Sequence, residues 1–177
     1  REKVGIKLDF SAIAKGYGVD AVARGISALG YNDLLVEIGG EVMARGSRFG
    51  KTWRIGIASP GVNGKNDPNT VSVIGLKNMA CATSGDYRQY YELNGRRYSH
   101  LVDPKTGYPI DHELTSVTVT AESCMLADAL ATAVIVMGKK GGMELIESLE
   151  NVEALFIYRD TEGILRSHAS SNWKKHL

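Results

Sequence analysis

Short β-prone runs joined by tight turn signals recur along this chain, and they restrict it to a largely antiparallel sheet. Gly39-Gly40 separates runs at 34–38 and 41–44, and Asn94-Gly95 separates runs at 90–93 and 97–99. Thr161-Glu162-Gly163 does the same between 154–158 and 164–167. Such residues tolerate the positive φ that hairpin turns need. Runs at 53–58, 71–76, 79–83 and 116–120 continue the sheet, and the turn formers of 60–69 read as a surface loop. Helical periodicity is confined to three segments. Ile13, Tyr17, Ala21 and Leu29 lie on one apolar stripe, with Asp9 or Ser11 as N-cap and Gly30 as stop. Residues 125–137 are apolar nearly all round and read as a buried helix ended by Gly138, and 143–149 form a shorter amphipathic one. The expected class is α+β, a mainly antiparallel sheet with flanking helices, with 1–177 as one domain.

Lys and Arg number 21 against 20 Asp and Glu, a balance that argues against a nucleic-acid surface. An anionic ligand must then be held by a local site. No apolar run reaches the length needed to cross a bilayer. Cys81 and Cys124 are too few for a disulfide framework, lack metal-site spacing and stand in apolar contexts, so both read as buried free thiols. The phosphate-binding loop G-x-x-x-x-G-K-[ST], the G-x-S-x-G elbow and the H-E-x-x-H pair are all absent, and Gly39-Gly40 is too short for a dinucleotide fingerprint.

Three segments carry more than packing requires. Around Asp9, D-F-S-A-I-A-K-G-Y-G-V-D opens a helix with Ser11, small residues and Lys15, which suits an anion at the helix start but equally suits a capped surface helix. After Ala82, Thr83-Ser84-Gly85 offers hydroxyls and a bare glycine at a strand end. His100 then precedes Asp103-Pro104, as a general base beside a carboxylate or as a packed residue beside an Asx turn. In the apolar helix, Asp128 interrupts A-D-A-L-A-T-A, with Thr132 one turn on and on the same face. A carboxylate and a hydroxyl suit a hard cation such as Mg2+ better than zinc, whereas local capping by Asp128 is the structural alternative. His168 and His176 read as exposed tail residues, and His112 has no evident partner.

Together these stretches resemble the ApbE family of flavin transferases. The resemblance rests on D-F-S-A-I-A-K-G-Y-G-V-D, V-E-I-G-G-E-V at Val36, A-T-S-G-D-Y-R-Q-Y, Y-S-H-L-V-D-P-K-T-G-Y-P at Tyr98 and A-D-A-L-A-T-A, in that order. It implies a two-lobed fold around an FAD cleft and transfer of FMN from FAD to a protein Thr or Ser, with release of AMP. By the same resemblance Asp128, Thr132 and the Ala12 carbonyl hold Mg2+, and His100 is the base. Thr83, Ser84, Gly85, Tyr87, Gly39, Gly40, Glu41, Lys15, Asp103 and Gly107 form the dinucleotide wall. Glu41 stands where the family often has Asp. The resemblance further implies a setting in the bacterial periplasm or on the outer face of the cytoplasmic membrane, a lipid anchor, and an acceptor flavoprotein in a membrane redox complex. It covers the later half to two-thirds of a family member, so the expected partners include the missing N-terminal segment or a second copy. Two readings stand beside transfer: hydrolysis of FAD to FMN and AMP, and flavin binding without turnover.

Overall fold

A computed structural model describes residues 5, 7–60, 67–85, 90–93 and 96–176. A six-stranded antiparallel sheet forms its centre, in the order β1-β2-β5-β8-β9-β10. These strands are β1 (Leu34–Ile38), β2 (Glu41–Arg45), β5 (Met79–Gly85), β8 (Leu114–Ala121), β9 (Glu153–Arg159) and β10 (Leu165–Ala169). Gly39 and Gly40 close the β1–β2 hairpin with φ of 65° and 103°, values that only glycine adopts at little cost. β3 (Trp53–Ser59) and β4 (Asp67–Leu76) pair as a separate ribbon, and β6 (Tyr90–Leu93) pairs with β7 (Arg96–Ser99). The helices are α1 (Ala14–Ala28) and α2 (Cys124–Glu147).

Alternation along the strands sends side chains to opposite faces, and both faces are covered. Val117, Val119, Ala121, Ala154 and Phe156 meet Ala127, Ala131, Val134 and Ile135 of α2. Val36, Met43 and Ala80 meet Val19 and Ala23 of α1 on the same side. On the other face Val42, Ala44, Cys81 and Leu155 pack against Ile57, Ile74 and Leu76 of the ribbon and against Trp173. The central strand β8 is consequently buried along its whole length. Among the described residues, no helix is long and apolar enough to cross a membrane.

The hairpin reading and both long helices are present, with instructive departures. β4 begins at Asp67, inside the stretch expected to be loop, because Asp67 and Thr70 pair with Ser59 and Ala58 across an irregular register. β3 and β4 leave the main sheet altogether, because their apolar residues cap its far face. The Asn94-Gly95 turn and residues 61–66 lie outside the described residues. α2 breaks at Gly138 as expected (φ 76°, ψ 175°) but resumes at once, so no loop precedes the segment expected at 143–149. His112 fills the break, its Nε2 2.8 Å from the Ile135 carbonyl that the interrupted helix leaves open. Met125 and Met137 of α2 are exposed, so the helix buries one face only. His176 is half-buried, not a free tail residue: it stacks edge-on against Trp173, with Nε2 3.3 Å from the Thr120 hydroxyl. Both cysteines are buried free thiols; burial pushes Cys81 up to about 12 and raises Cys124 as well.

α1 and α2 cross at Gly16, where a Cβ would lie 2.4 Å from the Cys124 carbonyl oxygen. Gly16→Ala should therefore force backbone apart and cost at least about 1–3 kcal/mol, well beyond its small gain in helix propensity. Urea unfolding of wild type and variant measures this, and an unchanged midpoint would show that the crossing gives way freely.

Candidate active site

The N-termini of the two helices meet over the sheet, each completed by a carboxylate from the other helix. Asp20 of α1 accepts from the first two amides of α2, Cys124 (2.9 Å) and Met125 (3.0 Å). Ser123 caps the third, Leu126, at 3.3 Å. Reciprocally, Asp128 Oδ2 of α2 accepts from the Gly16 amide of α1 at 2.9 Å. Neither expected N-cap serves α1: Ile13 holds that position without a side-chain bond, and Asp9 instead closes an Asx turn onto the Ser11 amide (2.7 Å) and hydroxyl.

This exchange has a chemical consequence. In an unbroken helix the Gly16 amide would bond the Ala12 carbonyl four residues back. Asp128 takes that amide, and the Ala12 oxygen accepts no hydrogen bond among the described residues. Ala12, Asp128 and Thr132 then line one cavity of about 700 Å3. Asp128 is 2% exposed, and its Oδ1 also accepts no hydrogen bond among the described residues. Carbonyl, carboxylate and hydroxyl oxygens together fit a hard divalent cation. Among the described residues, no group of three or more His, Cys, Asp or Glu side chains gathers around a common point, so Asp128 would be the one carboxylate of such a set.

The cavity also collects Lys15, Gly39, Thr83, Ser84, Gly85 and His100 from the expected set, with Asp9 and Ser11 at one wall. The Ser84 hydroxyl lies 3.1 Å from that of Thr132, joining strand β5 to the helix. Thr83 borders the cavity, but its hydroxyl is engaged with Thr118 across the sheet at 2.8 Å. His100 follows β7 and is exposed; the chain beyond it is fixed by the Leu101 amide on Ser99 Oγ (3.1 Å) and by the Ile110 amide on the Leu101 carbonyl (3.0 Å).

Four expected wall residues do not line the cavity. Gly40 continues the hairpin turn, its amide on Glu37 Oε1 at 2.9 Å. Asp103 and Gly107 build a tight turn, with the Gly107 amide on the Asp103 carbonyl and the Lys105 amide on Asp103 Oδ1, both at 2.8 Å. Glu41 lies behind Lys15, 1% exposed, with Oε1 2.5 Å from the ammonium. Tyr87 lies outside the described residues. Asp20 was not singled out from sequence; its only signal is an acid flanked by Val19 and Ala23 on the apolar face of α1.

A profile of the ApbE family matches residues 1–156. The chain is 44% identical over 171 residues to a FAD:protein FMN transferase of Haemophilus influenzae, covering 96% of this chain and 48% of that protein. A FAD:protein FMN transferase of Vibrio cholerae is also 44% identical, with 96% and 50% covered. Among solved structures, the flavin transferase ApbE from Vibrio cholerae superposes with a TM-score of 0.81 at 43% identity, over 96% of this chain and 52% of that one. The ApbE protein from Thermotoga maritima does so at 0.82 and 35%, over 97% and 53%. The chain thus spans about half the length of the curated relatives it matches.

Burial raises the Asp128 carboxyl above the usual carboxylate range, against the opposing pull of the Gly16 amide and Lys15. A native state that binds this proton more tightly than the unfolded chain loses stability as pH rises from the unfolded value, about 4, through the raised folded one. Asp128→Asn keeps an oxygen for Gly16 but cannot ionise. In cation-free thermal melts, the stability of wild type relative to this variant should fall from pH 4 to pH 8. A pH-independent difference would contradict the burial argument.

Proposed function

The chain belongs to the ApbE family, and on that premise we propose that it carries the phosphoryl-transfer site of an Mg2+-dependent flavin transferase. The reaction moves FMN from FAD to a threonine or serine hydroxyl of an acceptor protein and releases AMP. The observation that carries this reading is the freed Ala12 carbonyl, set beside Asp128 and Thr132 in a cavity open to His100. These three oxygens would hold Mg2+, whose charge would offset that of the pyrophosphate.

The chain's own residues supply the rest. The acceptor hydroxyl oxygen forms a bond to the FMN phosphorus as the bond to the AMP phosphate breaks, and AMP leaves with that electron pair. His100 takes the hydroxyl proton on an imidazole nitrogen, as a general base. Lys15, half-exposed in the cavity, offers a cation to the phosphates, and Gly85 at the end of β5 lets backbone approach them. Ser84 orients the Thr132 hydroxyl through their shared hydrogen bond. The flavin is cargo, so no redox side chain is required. A setting in the periplasm or on the outer face of the cytoplasmic membrane would bring such a site to acceptor flavoproteins of membrane redox complexes.

The test incubates the full-length protein with FAD, Mg2+ and candidate acceptor domains, reading in-gel flavin fluorescence and AMP. Asp128→Ala should abolish turnover and Thr132→Val nearly so, since valine keeps the shape and removes the oxygen. A folded Asp128→Ala protein with full activity would sink the cation assignment. AMP and free FMN without labelled acceptor would identify a hydrolase instead.

His100→Ala separates chemistry from binding. It should leave FAD affinity within a few-fold while slowing transfer by about 100-fold or more. Lost affinity with unchanged turnover at saturating FAD would make His100 a binding residue.

A further inference from the structure

Glu41 is the least expected charge near the cavity. It is 1% exposed in β2, one oxygen bonds the Lys15 ammonium at 2.5 Å, and the other, Oε2, has no hydrogen-bond partner among the described residues. A buried carboxylate with an orphaned oxygen costs stability, and replacing a buried ion pair by neutral groups is often favourable. The Lys15 side chain is 47% exposed and lines the cavity together with Asp128. Gly39 completes the arrangement: a Cβ there would lie 3.4 Å from both Glu41 Oε2 and Lys15 Cδ, so the hairpin turn packs directly on the pair.

We propose that Glu41 is a positioning residue for the cation site, holding the Lys15 ammonium back and neutralising it so that Asp128 stays available to a divalent cation. Without Glu41, two carboxylates line the same cavity as Lys15, Asp9 and Asp128, and it is Asp128 that already feels the Lys15 charge. A lysine paired there would occupy the oxygen that the freed Ala12 carbonyl and Thr132 flank, and its charge would repel the incoming ion. With Glu41 in place, Lys15 remains a cation tethered at the wall, where a substrate phosphate can share it. The three charges do act on one another: Lys15 pulls both carboxyls down against burial, and the Asp128 charge raises Glu41. This inference rests on Ala12, Asp128 and Thr132 as cation ligands.

The experiment titrates Mg2+ into the full-length protein by calorimetry without FAD, in wild type, Glu41→Gln, and Glu41→Gln combined with Lys15→Met. Wild type should bind. Glu41→Gln should bind about 10-fold or more weakly, the range in which partners behind metal ligands act. The double variant should return to within about 3-fold of wild type, because the unbalanced cation is gone. No recovery in the double variant would make Glu41 a merely structural residue and overturn the proposal, as would Glu41→Gln binding like wild type. Should Glu41→Gln alone fail to fold, the double variant decides: near-wild-type affinity supports the proposal and a 10-fold loss refutes it. Absence of Mg2+ binding in wild type would instead remove the cation reading on which the inference stands.

Discussion

Two helices in this chain finish each other's first turns. The Asp20 carboxylate satisfies amides at the start of α2, and Asp128 satisfies the Gly16 amide at the start of α1. Each carboxylate sits at the partly positive end of the other helix, and each bond is charge-assisted, so the exchange is stronger than neutral capping. It also fixes geometry. The backbones can close only because position 16 lacks a Cβ, and the crossing holds residues 12–16 of one helix against 124–132 of the other. The cavity, the free Ala12 carbonyl and the placement of Thr132 follow from that crossing. Asp128 therefore divides its oxygens: Oδ2 caps the Gly16 amide across the helices, where capping was the structural alternative in sequence, and Oδ1 is left, with the Ala12 carbonyl, for the proposed cation.

Local features were legible in the sequence because their causes are local. Gly39-Gly40 announces a hairpin through backbone freedom, and Gly138 announces a break in an apolar helix through the same property. The long helices announce themselves by period. The illegible features depend on residues far apart. Asp20 in an amphipathic helix reads as a solvated carboxylate until the start of α2, about a hundred positions later, is laid against it. β4 reads partly as loop because turn formers at its start pair with β3 only through an irregular register. Glu41 opens a strand with Val42, Met43 and Ala44, and alternation would expose every second residue. Instead the ribbon and the helices cover both faces, and all four are buried.

The expected site residues divide along the same line. Those brought to the cavity lie at ends of elements, where sequence neighbours share a rim: Ala12 and Lys15 at the start of α1, Thr83 to Gly85 at the end of β5, His100 after β7. Of those left out, Glu41 is buried in β2 behind Lys15, and Gly40, Asp103 and Gly107 sit in turns. Asp103 spends its carboxylate and carbonyl on amides of its own loop, so it shapes the approach to His100 without facing the ligand. A turn former and a cavity residue can share one motif, as Asp103 and His100 do, and only the hydrogen bonds of Asp103 within its own loop set it apart.

Asp128 and Glu41 are buried acids close to the buried thiols Cys81 and Cys124, and desolvation raises all four. The apolar packing of α2 on β8 and β9, and of the ribbon on the far face, must offset that cost. A bound divalent cation would relieve it by restoring to Asp128 the charge compensation that burial removed. On the proposed reading, stability and ion binding would be coupled through this one carboxylate, because the burial that raises its cost is what a cation would offset.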